Sequence, residues 1–214
     1  MNWLQDFQLY LFDFDGLLVD TEQLHYKAYT KTLAKYQIDF PLTLDRFYQL
    51  AHTNATALRD AIGLGGEWGN FYEEKKKCYQ QLLDNEPVAL MPGAERLLKA
   101  LARADLRRCI VTNSTRPNLE RAARLQPILK TLSWITREDY REPKPHPECY
   151  QLAIALHGQP GDRIIGFEDS LRGFSALSQA SVQVPVLVTT FHEPPQGALC
   201  VPSLDHLCNS VAFP

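Results

Sequence analysis

The sequence predicts an α/β protein: a Rossmann-like, doubly wound parallel sheet with an inserted helical domain. Short apolar runs alternate with helical patterns after residue 87, which is typical of parallel strands joined by helices. An earlier apolar run at residues 9–12 has the character of a buried strand, yet a long segment without strand patterns separates it from the others. The size agrees, because 214 residues, 45% of them hydrophobic, can form one substantial core and a small inserted domain.

Residues 21–86 are predicted to form this helical domain, with three helices. The first opens at Thr21 and Glu22 and continues to residue 36, with apolar side chains three or four residues apart. The second covers residues 54–64 and ends at a group of glycines. The third, residues 68–83, repeats aromatic and leucine side chains at helical spacing.

Residues 1–20 and 87–214 are predicted to form the sheet domain, with linkers near residues 17–20 and 85–92 acting as a hinge. Each later strand is a short apolar run between two helical patterns, and Pro92-Gly93 opens the first of these helices. The predicted strands after the first are residues 109–111, 132–135, 163–167 and 184–188, and the predicted helices are residues 92–101, 118–125, 147–157 and 173–181.

Composition limits the partners and the cellular location. A net charge of −3 and a pI near 6.1 give no reason to expect binding to nucleic acid or to an anionic membrane. Five scattered cysteines without a C-x-x-C spacing are typical of reduced thiols. The first residues lack the pattern of a signal peptide, and no apolar stretch approaches the length of a membrane span. We expect a cytoplasmic monomer with no nucleic-acid or membrane partner.

Two aspartates close the first predicted strand. Asp13 and Asp15 point the same way on a strand of period two, so both emerge at its carboxyl end, where ligands bind in open α/β sheets. Buried carboxylates need a partner or a metal ion, and Gly16 lets the backbone turn sharply and approach a ligand. The alternative is two solvated acids before a turn, and the pair alone does not decide between these interpretations.

Two further clusters have the chemistry of a phosphate site. Thr112 and Asn113 follow the second strand and could bind phosphate oxygens, although residues 112–115 also suit a helix N-cap. Lys144 lies in a loop that three prolines restrict, which lowers the entropic cost of aiming its ammonium group at a ligand. An ordinary surface lysine needs no such setting, so function is favoured there.

A fourth cluster adds a metal site. Glu168 and Asp169 end another predicted strand, and together with Asp13 they form a group of hard oxygen ligands suited to Mg²⁺.

In this order the four clusters resemble the motifs of the haloacid dehalogenase superfamily, over nearly the whole chain. Residues 13–22 are similar to its first motif, Thr112-Asn113 to its second, Lys144 to its third and residues 168–170 to its fourth. The helical domain resembles the helical, C1-type cap of this family, and the β-phosphoglucomutase-like subgroup is the most similar in pattern.

The resemblance implies phosphoryl transfer through an aspartyl-phosphate, with Mg²⁺ as the cofactor. Asp13 would attack phosphorus, and Asp15 would protonate the leaving oxygen and then deprotonate the hydrolytic water. The residues implied to bind the phosphoryl group are Thr112, Asn113, Lys144 and Gly16. The metal ligands implied are Asp13, the backbone carbonyl of Asp15, Asp169 and, directly or through water, Glu168.

A phosphatase for a small phosphorylated metabolite, such as a sugar phosphate, is the favoured activity. A β-phosphoglucomutase-type mutase is the alternative, since Thr21 and His25 match hinge positions of those enzymes. Against it, Ala51 and Asn54 stand where the mutases carry a glycine and an arginine that grips the second phosphate. A non-catalytic protein that binds a phosphorylated ligand would not need the intact acids and lysine. Dehalogenation is disfavoured, because true dehalogenases lack an aspartate at the position of Asp15.

Six further positions complete the candidate set for substrate binding or hinge motion. Each has an ordinary alternative, such as a partly buried histidine or a lysine on a solvated helix face. These candidates are Thr21, His25, His52, Asn54, Lys76 and Arg116.

Overall fold

A computed structural model describes residues 2–53, 55–190 and 193–209 of the chain. The chain divides into two compact units. The sheet unit comprises Met1–Asp20 and Ala89–Pro214, and the helical unit comprises Thr21–Val88. Among the described residues, no helix combines the length and the apolar character that crossing a membrane requires.

Six parallel strands form the sheet, in the spatial order β3-β2-β1-β4-β5-β6. Both central strands are buried along their whole length, as expected for a parallel sheet covered on two faces. The chain builds one side of the sheet outward from β1 and then crosses to β4, so the switch in strand order lies at the β1–β4 pair. The strands are β1 (Leu9–Phe12), β2 (Arg107–Val111), β3 (Ser133–Ile135), β4 (Ile164–Glu168), β5 (Val184–Val188) and β6 (Leu199–Val201).

Helices occur in both units. In the helical unit α1 packs against α4, and aromatic rings of Tyr29, Phe47 and Phe71 fill the space between the helices. The helical unit contains α1 (Glu22–Lys35), α2 (Leu44–Thr53), α3 (Ala55–Ile62) and α4 (Trp68–Asn85), and the sheet unit contains α5 (Ala94–Arg103), α6 (Arg116–Leu125), α7 (Glu148–His157), α8 (Leu171–Gln179) and α9 (Leu204–Asn209).

The predicted fold class is confirmed, and three elements were not predicted. Strand β6 has only three residues and stands at the edge of the sheet, so it carries too short a pattern to recognise. Helix α9 has six residues and is equally short. Helix α2 was missed because Ala51 was interpreted by comparison with the mutases and not by its helical spacing, whereas the backbone is helical through Thr53.

Candidate active site

Three strands deliver polar residues to the carboxyl edge of the sheet. Asp13 follows β1, and its N–H donates to the carbonyl of Phe167 at 3.0 Å, which continues the pairing with β4 by one residue. Thr112 follows β2, and its N–H donates to Ile135 at 3.0 Å. Glu168 is the last residue of β4, and Asp169 comes next. The first motif and the fourth motif therefore meet at the strand switch, the place where open α/β sheets bind ligands.

A tight turn follows Asp13 and sets the position of Asp15. Gly16 has φ = 75°, the left-handed region that favours glycine, and its N–H donates to Val19 at 2.9 Å. The N–H groups of Leu18 and Val19 both donate to Phe14, at 3.0 and 3.2 Å. The Gly16 N–H, which was predicted to serve a phosphate, is thus used inside the turn, and the glycine contributes its backbone conformation.

Lys144 joins the first and fourth motifs. Its side chain is 5% exposed, and Nζ donates to Asp13 Oδ1 at 2.6 Å, Glu168 Oε1 at 2.6 Å and the Val111 carbonyl at 2.7 Å. Burial opposes the positive charge, but the carboxylates of Asp13 and Glu168 outweigh it and hold the pKa of Lys144 above its ordinary value. The lysine is therefore a fixed cation between two carboxylates.

Side chains from the second motif and from α7, together with Tyr140, hold the loop that carries Lys144. The Lys144 N–H donates to Asn113 Oδ1 at 3.1 Å, and the same oxygen lies 2.7 Å from the Tyr140 hydroxyl. The carboxylate of Glu148 accepts from two N–H groups of the loop, those of Arg141 and residue 142, at 3.1 and 2.8 Å. Asn113, predicted to bind phosphate, is thus placed where its side-chain oxygen supports the lysine loop.

Negative charge exceeds positive charge at this edge of the sheet. One carboxylate oxygen from each of Asp13, Glu168 and Asp169 lies within 4.8 Å of the others, and all three side chains are buried. Burial and the neighbouring charges, Glu168 first, raise the pKa of Asp13 well above its ordinary value, although Lys144 acts in the opposite direction. Hard oxygen donors with an excess of negative charge fit a divalent cation such as Mg²⁺.

The two carboxylate oxygens of Glu168 differ in their contacts. Its Oε1 accepts from Lys144, while Oε2 is buried without a hydrogen-bond partner among the described residues. A buried orphan acceptor of this kind is expected where a ligand or an ion completes the site.

Asp15 and Thr112 are connected through Ser114. The Ser114 hydroxyl donates to Asp15 Oδ2 at 2.5 Å, and the Ser114 N–H donates to Thr112 Oγ1 at 2.9 Å. The carbonyl of Ser114 accepts from Arg137 at 3.0 Å, so the residue is held at three points. Because Thr112 Oγ1 already accepts a hydrogen bond, its own proton is available for another acceptor.

Three candidates of the helical unit lie in its first two helices or immediately before the first of them. His25 stacks on Tyr79 with ring centroids 3.9 Å apart, and its Nδ1 lies 2.9 Å from Nζ of Lys75. His52 Nε2 lies 3.3 Å from Glu22 Oε1. Thr21 is buried immediately before α1.

Two other candidates, Lys76 and Arg116, form ion pairs. Lys76 is 45% exposed and pairs with Glu73 at 2.5 Å, whereas the neighbouring Lys75 is the buried lysine of α4. The Arg116 guanidinium donates to Asp139 at 2.8 Å, which engages it in an ion pair at the start of α6. Asn54 lies outside the described residues.

Tyrosine hydroxyl groups are the contribution that the sequence did not reveal. Tyr150 donates to Glu168 Oε1 at 2.5 Å, and Tyr140 lies between the Thr112 carbonyl and Asn113. Burial raises the pKa of both phenols, so both hydroxyls are protonated donors at neutral pH. In the sequence Tyr150 is one more large residue of a predicted helix, and no local signal separates a site role from packing.

Comparison with known proteins gives one family and several relatives. The family profile described as haloacid dehalogenase-like hydrolase matches residues 10–187. Protein CbbY of Cereibacter sphaeroides is 30% identical over 81% of this chain and 80% of its own length. Phosphorylated carbohydrates phosphatase of Thermotoga maritima is 26% identical over 81% of each chain. The crystal structure of β-phosphoglucomutase from Clostridium difficile is 25% identical with a TM-score of 0.73, covering 94% of this chain and 93% of that one.

Proposed function

This chain belongs to the family of haloacid dehalogenase-like hydrolases, and from that membership and the site geometry we propose that it is a Mg²⁺-dependent phosphatase. It would hydrolyse a small phosphorylated metabolite, such as a sugar phosphate, through an aspartyl-phosphate on Asp13. The observation that carries the proposal is the contact of the buried Lys144 ammonium with both Asp13 and Glu168, beside a cluster of acids. The phosphatase among its relatives supports the choice of reaction.

Asp13 is the proposed nucleophile. A carboxylate oxygen of Asp13 forms a bond to phosphorus while the ester P–O bond breaks, and Asp15 gives its proton to the leaving oxygen. A water oxygen then attacks phosphorus, Asp15 accepts the proton of the water, and the bond between phosphorus and Asp13 breaks. Lys144, 2.6 Å from Asp13 Oδ1, fixes the orientation of the nucleophile in both steps.

The remaining residues would bind the phosphoryl group, offset its charge and hold the metal ion. Thr112 can donate its free hydroxyl proton to a phosphoryl oxygen, and Lys144 supplies a positive charge close to the reacting atoms. Asp13, Asp169, Glu168 and the backbone carbonyl of Asp15 are the residues that would hold Mg²⁺. When bound, Mg²⁺ would offset the negative charge of the acids and of the phosphoryl group.

The helical unit is proposed to act as a cap domain that selects the substrate. Thr21, His25 and His52 are the candidates within its described part, and Lys75 joins them because it is buried against His25. This proposal does not require a second phosphate on the substrate. Arg116, a candidate for substrate binding, already forms an ion pair with Asp139.

Phosphate release from a panel of substrates tests the proposal. The panel contains sugar phosphates, phosphoglycolate, nucleotides and p-nitrophenyl phosphate, each with Mg²⁺ and with a chelator. We expect turnover that needs Mg²⁺ and that Asp13→Asn abolishes, while Glu95→Gln retains it. Glu95 suits this control because its side chain is 59% exposed and pairs with Lys99 on the same helix.

The outcome also separates the alternatives. If no phosphate is released but a hexose 1-phosphate is isomerised in the presence of a sugar bisphosphate, the protein is a mutase. Turnover that persists in Asp13→Asn would contradict the assignment of the nucleophile. The absence of both activities, with retained binding of phosphorylated ligands, would favour the binding-protein alternative.

A further inference from the structure

We propose that Tyr150 is a positioning residue of the site, which acts by fixing the carboxylate of Glu168. In this arrangement one carboxylate oxygen serves Lys144 and Tyr150, and the other stays available to the metal ion. The inference rests on the proposed function, because it assigns to Glu168 a part in holding Mg²⁺.

Tyr150 lies on α7. Its hydroxyl and the carboxylate of Asp13 both contact the ammonium group of Lys144. The side chain of Tyr150 is fully buried, and its hydroxyl donates to Glu168 Oε1 at 2.5 Å. The same hydroxyl lies 3.1 Å from Lys144 Nζ. A phenol hydroxyl can donate once and accept as well, so both contacts are compatible with one orientation of its proton.

Counting donors shows which of these contacts dominates. An ammonium group has three N–H donors, and Lys144 has shorter contacts to Asp13, Glu168 and the Val111 carbonyl, at 2.6, 2.6 and 2.7 Å. The contact with Tyr150 at 3.1 Å is the fourth and the longest. Tyr150 is therefore bound chiefly to Glu168, and its effect on Lys144 passes through that carboxylate.

Glu168 is consequently asymmetric. Its Oε1 accepts two short hydrogen bonds, from Lys144 and Tyr150, whereas Oε2 has no partner among the described residues. The carboxylate also lies against Gly173, where no side chain occupies the space. With the phenol removed, only Lys144 would hold Oε1, and the carboxylate could rotate so that the separate roles of its two oxygens would no longer be fixed.

A purely structural role for Tyr150 gives different expectations. Its ring belongs to the core cluster under the sheet, and phenylalanine would keep that packing. If the hydroxyl served stability alone, Tyr150→Phe would lower the melting temperature and leave the Mg²⁺ affinity unchanged. Tyr10 provides the matched control, because it is also fully buried and its hydroxyl donates to the backbone carbonyl of Leu4 at 2.6 Å, and not to a carboxylate of the site.

The experiment is calorimetric titration of metal-free wild type, Tyr150→Phe and Tyr10→Phe with Mg²⁺. We expect Tyr150→Phe to bind Mg²⁺ about 10- to 100-fold more weakly, the range found when outer partners of metal ligands are removed. Tyr10→Phe is expected to match wild type. At saturating Mg²⁺, kcat should fall in Tyr150→Phe by a larger factor than KM for the phosphorylated substrate rises. The reason is that Glu168 would act at the phosphoryl group, and not on the rest of the substrate.

A double-mutant cycle tests the route through the carboxylate. If Tyr150 acts through Glu168, then Tyr150→Phe should cost little further Mg²⁺ affinity in a Glu168→Gln background. Equal Mg²⁺ affinity of Tyr150→Phe and wild type would overturn the proposal, as would a Tyr150→Phe protein that does not fold with or without Mg²⁺. Failure of the proposed function is distinguishable, because wild type itself would then neither bind Mg²⁺ nor release phosphate.

Discussion

Gly173 is the position at which a single methyl group should damage the site most directly. It is the third residue of α8, and a Cβ built there would overlap both oxygens and the Cδ of Glu168, at distances well under the 3.0 Å that real Cβ atoms keep. Glu168 cannot simply move into solvent, because its side chain is buried. Gly173→Ala should therefore push the carboxylate off Lys144.

The size of the effect follows from two opposing contributions. Alanine in place of glycine in a helix is worth about 1 kcal/mol at most, and less near a helix start. Breaking a buried ion pair costs about 3–5 kcal/mol, and here the buried Glu168 carboxylate would lose its hydrogen bonds from Lys144 and Tyr150. The cap hydrogen bond from the Gly173 N–H to Ser170 Oγ, 3.0 Å long, does not depend on the side chain. The net expectation is a loss of about 2–4 kcal/mol in the free energy of unfolding.

Thermal melting and phosphate release measure this effect. For a chain of this length the loss corresponds to a fall in Tm of about 4 to 16 °C, and turnover should become undetectable because Glu168 and Lys144 are both displaced. Gly69→Ala is the matched control, since Gly69 lies near the start of α4 and a Cβ there would meet nothing within 4 Å. That variant should have an unchanged or slightly raised Tm and full activity.

A second substitution shows whether the overlap with Glu168 is the cause. In a Glu168→Ala background the overlapping atoms are gone, so Gly173→Ala should be neutral or slightly stabilising. If Gly173→Ala costs the same in both backgrounds, the loss arises elsewhere in α8. If it costs nothing in wild type, the carboxylate does not occupy the space against Gly173, and the reasoning is refuted.

Two predictions concern charge. Asp13→Asn should raise Tm at neutral pH in Mg²⁺-free buffer. Folding raises the pKa of the Asp13 carboxyl group, so this group costs stability once the pH exceeds the ordinary pKa of aspartate. A lower Tm would contradict this prediction. Asp162→Asn should lower the free energy of unfolding by about 1–2 kcal/mol at neutral pH, since the hydrogen bond from Arg107 at 2.6 Å lowers the pKa of Asp162. That deficit should shrink as the pH falls below about 4 towards the depressed pKa; stability curves of variant and wild type that stay parallel in acid would refute it, and Glu95→Gln should stay near wild type throughout.

The site motifs could be predicted because strand ends are local in sequence. Asp13 and Asp15 close a run that is apolar enough to be a buried strand, and carboxylates at such a place require an explanation from chemistry. Parallel strands then bring their carboxyl ends to one edge, so residues far apart in the chain meet without any long-range pattern in the sequence. The predicted superfamily is confirmed by the family profile, and the fold class by the six-stranded parallel sheet.

The supporting hydroxyl groups could not be predicted in this way. Tyr150 meets Glu168 because α7 packs against the sheet at one particular rotation, and that rotation depends on the whole core. Ser114 is similar, since its hydroxyl could equally have capped α6, yet it donates to Asp15. Sequence patterns identify the residues at strand ends, whereas tertiary packing decides which side chains from neighbouring helices complete the site.

In the lysine run of α4, the helical spacing of the apolar residues predicts which lysine is buried, but the sequence analysis did not use this spacing. Phe71, Lys75 and Tyr79 are four residues apart, and all three are buried in the structure. Lys76, the predicted candidate, is one residue out of phase and exposed. Applying the helical period to the apolar residues would have selected Lys75, because residues four apart share a face.

The electrostatics of the site connect stability with the proposed chemistry. Asp13 has to be ionised to attack phosphorus, yet burial and the charge of Glu168 raise its pKa, and Lys144 alone does not reverse this. A divalent cation among Asp13, Glu168 and Asp169 would supply the missing positive charge, favour the ionised nucleophile and stabilise the fold in the same event. The excess of negative charge is thus costly to the metal-free protein and useful to the proposed enzyme. The same arrangement gives Tyr150 and Gly173 a common role beside Glu168. A carboxylate shared between a lysine and a metal ion needs one oxygen for each of them, and the contacts with Tyr150 and Gly173 would hold it in that orientation.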